Sequence, residues 1–438
     1  MSFFISQKQR LGLCIIGLTF LSSSALLGCN PSFSAAKQPV QVSGKVQQVA
    51  KAPIPKAPIP KEQPAPSPWE SSLQARLQGL LEHDLTQRSQ VSLLVYDLTA
   101  QKTLFSYRPK QLLRPASTMK SLVALTALDK LSIYHQFTTK LAYDGTITNG
   151  VLTGNIYCIG GFDPLFDSQD MQAFVRSIKA LGIHRIQGSL IADVSMMEGP
   201  RWGIGWCWDD DEYNPPLFPL LVNGKDRFMQ SLQSELRAAG ITPPGLVVRG
   251  QAPSTALPLS SRSHSMEEVL QPMLKDSDNL CAEAMFYQLA ASRRSSHATA
   301  DDARLVINDF IRKIGLNPES YNIADGCGLS QYDYLSTELE MALLKYAYEH
   351  KEIYNVFFPA LAIGGVDGTL DYRMHNKALK GAVHAKTGTL TGVSALAGYT
   401  SASNGHLLAF SIMNNGVLET PEAQSWQDEV CLVLHTTK

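Results

Sequence analysis

No acidic residue precedes Glu62, and no uninterrupted apolar stretch reaches the roughly 18 residues that a membrane-spanning helix needs. The net charge is only −1, so the chain lacks the basic excess that marks nucleic-acid binding. Cysteine is sparse, at seven, and no two stand at the C-x-x-C spacing of metal or redox motifs. These absences leave no global nucleic-acid signal, no cysteine metal or redox motif and no long apolar span. A chain of 438 residues with 44% hydrophobic content can still build two or three packed domains.

The amino terminus is informative because of what replaces the acids. Lys8 and Arg10 precede an apolar run from Leu11 to Leu27, broken by Ser22, Ser23 and Ser24. This is the layout of a secretory signal peptide, over residues 1–28. It ends Leu26-Leu27-Gly28-Cys29, which resembles a bacterial lipobox, and so implies cleavage before Cys29 and lipidation of that residue. The competing reading, an anchor helix burying Cys29, needs a longer and less interrupted run. With Cys14 lost and Cys29 lipidated, Cys158, Cys207, Cys281, Cys327 and Cys431 remain, and spacing leaves their pairing open.

Residues 29–68 read as a tether. The tandem Lys51-Ala-Pro-Ile-Pro55 and Lys56-Ala-Pro-Ile-Pro60 is too poor in large apolar side chains for a core, and its prolines favour an extended spacer. Its lysines keep it soluble or touch anionic lipid or polymer.

Folding is expected from near Trp69. Val91–Asp97 and Leu104–Tyr107 read as strands, followed by a helix that opens near Ser117 and continues through the apolar Ser121–Leu128. Strands at Phe137–Tyr143 and Val151–Ile159, a helix at Met171–Leu181, a strand at 188–192, a tryptophan-rich loop from Trp202 to Trp208, and a further helix and strand read as an inserted α+β module, residues 135–264. From Met266 the pattern is helical, with Ser277-Asp278-Asn279 between two helices. The chain closes on strands at 381–388, 393–400 and 407–413, with Asn404-Gly405 as a hairpin turn, and a helix near 423–434. Residues 69–134 and 265–438 then form one domain, interrupted by the module.

Three short motifs carry the chemistry. In Ser117-x-x-Lys120 a hydroxyl and an amine lie one helical turn apart, near backbone N–H groups that favour developing negative charge. An uncharged lysine there could take the serine proton. Ser277-x-Asn279 and Lys386-Thr387-Gly388 follow on a joint and a strand. Each alone is common on protein surfaces, while together and in this order they are specific.

On these motifs, with Gly160-Gly-Phe-Asp-Pro164, Gly205-Trp-Cys-Trp-Asp209, Asp325-Gly-Cys-Gly-Leu-Ser330 and Gly365-Val-Asp-Gly-Thr-Leu370, the chain resembles the class C low-molecular-mass penicillin-binding proteins, of the penicillin-binding protein 4 type. The resemblance implies a penicillin-recognising, β-lactamase-like fold, an antiparallel sheet flanked by helices. It implies a serine D-alanyl-D-alanine carboxypeptidase or endopeptidase acting on peptidoglycan stem peptides and acylated by β-lactams, with no metal or cofactor. Ser117 is then the nucleophile and Lys120 its base, while Ser277 and Asn279 relay protons and hold substrate, and Lys386 adds charge that keeps Lys120 neutral. Thr387, Gly388 and Thr389 would receive the substrate, Gly388 by leaving the strand edge bare, and the amides of Ser117 and Thr389 would hold the oxyanion.

Three departures are visible. A further domain usual within the module is missing, Cys327 replaces a common serine, and Gln331 stands where an arginine often meets a stem-peptide carboxylate. Asp193 and Glu198 are candidates for a substrate amine. The alternatives are a β-lactamase or esterase of the same superfamily and a non-catalytic wall-binding lipoprotein. Against the first, there is no Glu-x-x-Leu-Asn; Leu316-Asn317 lacks the glutamate. The implied location is the periplasm, on a lipid anchor.

Overall fold

Residues 65–207 and 214–438 are described by the computed structural model. The signal segment, Cys29 and the tether up to residue 64 lie outside the described residues, as does Trp208. No described helix is long and apolar enough to cross a membrane.

Helix α1 (Pro68–Leu80) starts on a capping box in which Ser67 and Glu70 each satisfy the other's backbone N–H. Strands β1 (Gln90–Asp97) and β2 (Lys102–Tyr107) lead to helix α2 (Met119–Leu131). The middle of the chain holds β3 (Gln136–Tyr143), β4 (Ile156–Ile159), α3 (Ser168–Ala180), β5 (Leu190–Asp193), α4 (Phe228–Ala238), β6 (Val247–Arg249) and β7 (Leu257–Ser265). Five helices follow: α5 (Met266–Lys275), α6 (Asn279–Arg293), α7 (Ala300–Lys313), α8 (Thr337–Glu349) and α9 (Lys351–Ala360). The chain ends in β8 (Ala362–Ile363), β9 (Val383–Leu390), β10 (Val393–Ser401), β11 (Leu407–Asn415) and α10 (Thr420–Thr436).

The first and last strands meet in one antiparallel sheet of order β8-β9-β10-β11-β1-β2. Strand β10 is buried along nearly its whole length because both faces are covered. Leu396 faces α1 and α10, packing with Leu73, Leu77, Trp426 and Val430. Ala395, Ala397 and Tyr399 face the other way, toward Val123, Leu270, Leu344 and Phe357. The period of two thus sorts one strand's residues into two cores. Helix α2 runs through the second core with every residue from Met119 to Leu128 buried, the signature of a central rather than a surface helix. This is the antiparallel, helix-flanked architecture implied by the motifs.

A second sheet, of order β7-β3-β4-β5-β6, lies in the middle of the chain and packs α3 and α4 around Phe166, Phe174, Phe228 and Leu232. The sequence reading needs correction at several elements, helix α1 among them, which was not expected. The expected strand 151–159 is two strands, because a Cβ at Gly154 would meet the Asp144 carbonyl oxygen at 2.1 Å and the chain turns there. Strand β7 was not expected: Leu-Pro-Leu-Ser-Ser-Arg-Ser-His-Ser is polar and contains a proline, as an edge strand permits. Helix α9 was missed as well, and it carries Pro359 near its end.

Candidate active site

Ser117 sits in a 3₁₀ turn, Ala116–Thr118, that feeds directly into α2, rather than in the helix's own first turn as expected. Ala116 adopts φ 49°, a left-handed conformation uncommon for a residue with a side chain. Two close backbone approaches hold that turn. A Cβ at Gly328 would lie 1.9 Å from the Ala116 carbonyl oxygen, and one at Gly388 would lie 2.5 Å from that of Pro115 and 3.1 Å from the nitrogens of Ser117 and Thr118. Gly388 therefore makes room for the protein's own serine turn against β9, not for an incoming peptide.

This predicts that Gly388→Ala is damaging. A methyl group pressed into backbone costs about 1–3 kcal/mol of stability, and displacement of the Ser117 turn slows acylation about a hundredfold. Thermal unfolding and a fluorescent-penicillin acylation rate check the two effects separately.

Lys120 lies one turn into the helical segment, fully buried. Its Nζ is 2.8 Å from Ser117 Oγ, 2.8 Å from Asn279 Oδ1 and 2.7 Å from the Cys327 carbonyl oxygen. Burial pushes its pKa down, against the opposing pull of charge at Cys327, Asp325, Asp278 and Glu283. A neutral amine has two N–H donors and one lone pair. Asn279 Oδ1 and the Cys327 carbonyl can only accept, so they take both N–H groups. In that uncharged form the lone pair is left for the Ser117 hydroxyl, which donates; in the charged form Nζ donates to Ser117 Oγ.

Asn279 is the first residue of α6, while Ser277 lies in the joint behind α5 with φ 64°. Ser277 lines the same cleft as Ser117 and Asn279, but its hydroxyl has no hydrogen-bond partner among the described residues. Lys386 is buried on β9 and donates to the Thr387 carbonyl at 2.9 Å. Its pKa is pushed well down, first by burial and then by Lys120. Burial is the leading cause of the Lys120 depression, and Lys386 is not among its main causes. Thr387 is buried and bonds Thr369 Oγ1 at 2.7 Å, whereas Thr389 is exposed on the cleft wall.

The cleft has a volume of about 520 Å³. Strand β8 covers β9 only at His384 and Ala385, so the edge from Lys386 to Leu390 has no strand partner among the described residues. Sequence reasoning missed Thr369, Tyr372, Arg114, Asp276 and Gln424, which also line the cleft. Thr369 stood within the Gly365–Leu370 run, whereas Arg114 and Gln424 carried no signal because long-range packing brings them there. Gln331 bonds Cys207 Sγ at 3.1 Å and Thr391 lies nearby, both on the wall. Asp193 is not an amine receptor: it is buried, and it accepts from Ser195 and the Ala252 amide. Glu198 is exposed and lines a separate cavity of about 370 Å³.

The five described cysteines are free thiols. Cys327 is fully buried and its thiol pKa is pushed well up by desolvation, so it is a packed, inert side chain. Donor atoms of Glu283, Asp325 and Cys327 converge in a way that could hold a metal ion. Protein donors already occupy those carboxylates, however: Glu283 Oε1 accepts from Gly326 and Cys327, and Asp325 from Gly328, Ser330 and Trp206.

Comparison with known proteins identifies the family. The model of the D-Ala-D-Ala carboxypeptidase 3 (S13) family matches residues 73–226 and 221–437. The chain belongs to that family. It is a serine-type DD-peptidase of the penicillin-binding class. Within the S13 family, a D-alanyl-D-alanine carboxypeptidase DacB of Haemophilus influenzae is 25% identical over 76% of this chain and 88% of its own. A D-alanyl-D-alanine carboxypeptidase of an Actinomadura species is 24% identical over 79% and 81%. Among solved structures, penicillin binding protein 4 of Haemophilus influenzae superposes with a TM-score of 0.75 at 23% identity, covering 81% of this chain and 98% of that one. A predatory peptidoglycan endopeptidase of Bdellovibrio bacteriovorus reaches 0.53 at 16% identity, over 78% and 90%.

Proposed function

We propose that this S13 peptidase is a lipid-anchored periplasmic enzyme that cleaves D-Ala-D-Ala termini, D-Ala cross-links, or both, with Ser117 as its nucleophile. The observation that carries the reading is the environment of Lys120 Nζ, where two fixed acceptors leave only the lone pair facing Ser117 Oγ. Ser117 Oγ attacks the carbonyl carbon of the penultimate D-alanine as its proton passes to Lys120. The tetrahedral oxyanion is held by the amides of Ser117 and Thr389, each such donor being worth roughly 3–4 kcal/mol of barrier. Collapse breaks the C–N bond, and the departing amine takes a proton delivered through Lys120 and Ser277. Water then attacks the ester, its proton following the same route, and Ser117 is regenerated.

Asn279 and the bare edge of β9 align the substrate backbone, while the hydroxyls of Thr387 and Thr389 receive the terminal carboxylate and Lys386 adds positive charge beside the serines. Under this reading residues 69–134 and 265–438 form the catalytic domain and 135–264 the inserted one. Lipidation at Cys29 and the proline-rich tether would hold the enzyme off a membrane. β-Lactams enter the same acylation step and leave slowly, since no Glu-x-x-Leu-Asn base is present.

Incubation with a stem pentapeptide and with a cross-linked dimer, followed by mass spectrometry, tests the proposal. Loss of D-alanine from the first marks a carboxypeptidase, and halving of the second an endopeptidase. An enzyme that alters neither substrate is not a DD-peptidase.

A further inference from the structure

Lys120 depends on two fixed acceptors, and only one of them belongs to a motif residue. The other, the Cys327 carbonyl, is main chain in a loop, and a loop carbonyl can rotate unless something holds its peptide plane. Asp325 holds that plane directly, and Glu283, from α6, anchors the two peptide planes that precede it. Glu283 Oε1 accepts from the Gly326 amide at 2.8 Å and the Cys327 amide at 2.9 Å, and the side chain is almost wholly buried. Asp325 Oδ1 takes the Gly328 amide at 2.6 Å, which is the N–H of the very peptide whose carbonyl faces Lys120. Glu283 and Asn279 are four residues apart on α6 and therefore share a face. One helical turn thus governs both acceptors, directly through Asn279 and through the 326–328 loop by way of Glu283.

We infer that Glu283 is a positioning residue for the acylation step: by accepting two consecutive loop amides it aims the Cys327 carbonyl at Lys120 and keeps the lysine lone pair on Ser117. The inference rests on the assignment of Ser117 and Lys120 as nucleophile and base. It does not require Glu283 to be charged or to touch substrate. Desolvation, and then the neighbouring Asp325, push its carboxyl pKa upward, so a neutral side chain of equal reach is the fitting replacement.

Two mild variants separate reach from charge. Glu283→Gln keeps an accepting oxygen at the same distance, and Glu283→Asp keeps the acid but withdraws the oxygen by one methylene group. Stopped-flow acylation by a fluorescent penicillin yields the encounter dissociation constant and the first-order acylation constant separately. The Gln variant is expected to acylate within about threefold of the parent. The Asp variant is expected to lose about a hundredfold in the first-order constant with the encounter constant unchanged, as for a misdirected group rather than a damaged pocket. A Gln variant as slow as the Asp one, an Asp variant at parental speed, or a loss confined to the encounter constant overturns the inference. If the parent protein itself fails to acylate, the assignment of Ser117 fails instead.

Discussion

Ser117→Ala is expected to abolish covalent attachment of penicillin, with intact-protein mass spectrometry finding no adduct after incubation that saturates the parent. Turnover of D-Ala-D-Ala peptide should fall by about 10⁴-fold or more, since the remaining donors can only polarise the carbonyl and have no nucleophile to present. The variant should still bind β-lactam reversibly, because the cleft walls at Asn279, Thr389 and Gln331 do not depend on the hydroxyl. Stability should change little: the Ser117 turn is held by the approaches at Gly328 and Gly388 rather than by the hydroxyl. An adduct forming at the parental rate would place the nucleophile elsewhere.

The second large effect is expected at Lys120. Burial lowers its pKa from the usual 10.5, and a group that takes the serine proton must do so as the uncharged amine. Acylation should therefore rise with pH through the depressed value and level off above it. Lys120→Arg cannot lose its proton under any usable condition, so its loss of about 10³-fold or more should not be recovered at alkaline pH. Recovery there would show that the amine acts only as a hydrogen-bond donor.

Stability is linked to the same two lysines. Between their folded pKa values and 10.5 the unfolded chain binds more protons at Lys120 and Lys386 than the folded one. Stability contributed by these groups therefore rises with pH across that window. A Lys120→Met variant, with no proton to bind in either state, should show a flatter dependence of melting temperature on pH.

Much of this site could be read from the residues alone, because S-x-x-K, S-x-N and K-T-G each pair a chemical group with a local element. The helix after Ser117, the joint at Ser277 and the last three strands were legible for the same reason: period and turn residues are local. The misreadings share a cause. Gly388 was assigned to substrate approach, but its neighbour is Pro115, far away in sequence. Asp193 was treated as an available carboxylate, but the Ala252 amide claims it. Strand β7 escaped notice because its pairing with β3 comes from a partner more than a hundred residues upstream, not from its own polar pattern. Glu283 ends the run Ser277-Asp-Asn-Leu-Cys-Ala-Glu283, but nothing in that run points to the distant loop amides it accepts.

The incompletely covered strand β9 carries a consequence for how molecules behave in a crowd. A row of unsatisfied backbone groups is a template on which another copy can nucleate an aggregate, and natural proteins usually blunt such rows with charge or proline. Here the Lys386 side chain satisfies the Thr387 carbonyl, and neither device interrupts the rest of the row from Gly388 to Leu390. Protection comes from depth, since Ser117 on one side and Thr369 and Tyr372 on the other wall it in. Agitation or mild heating that loosens those walls should therefore start clumping well before the sheet itself melts, and a covalently bound β-lactam lying along the row should delay it.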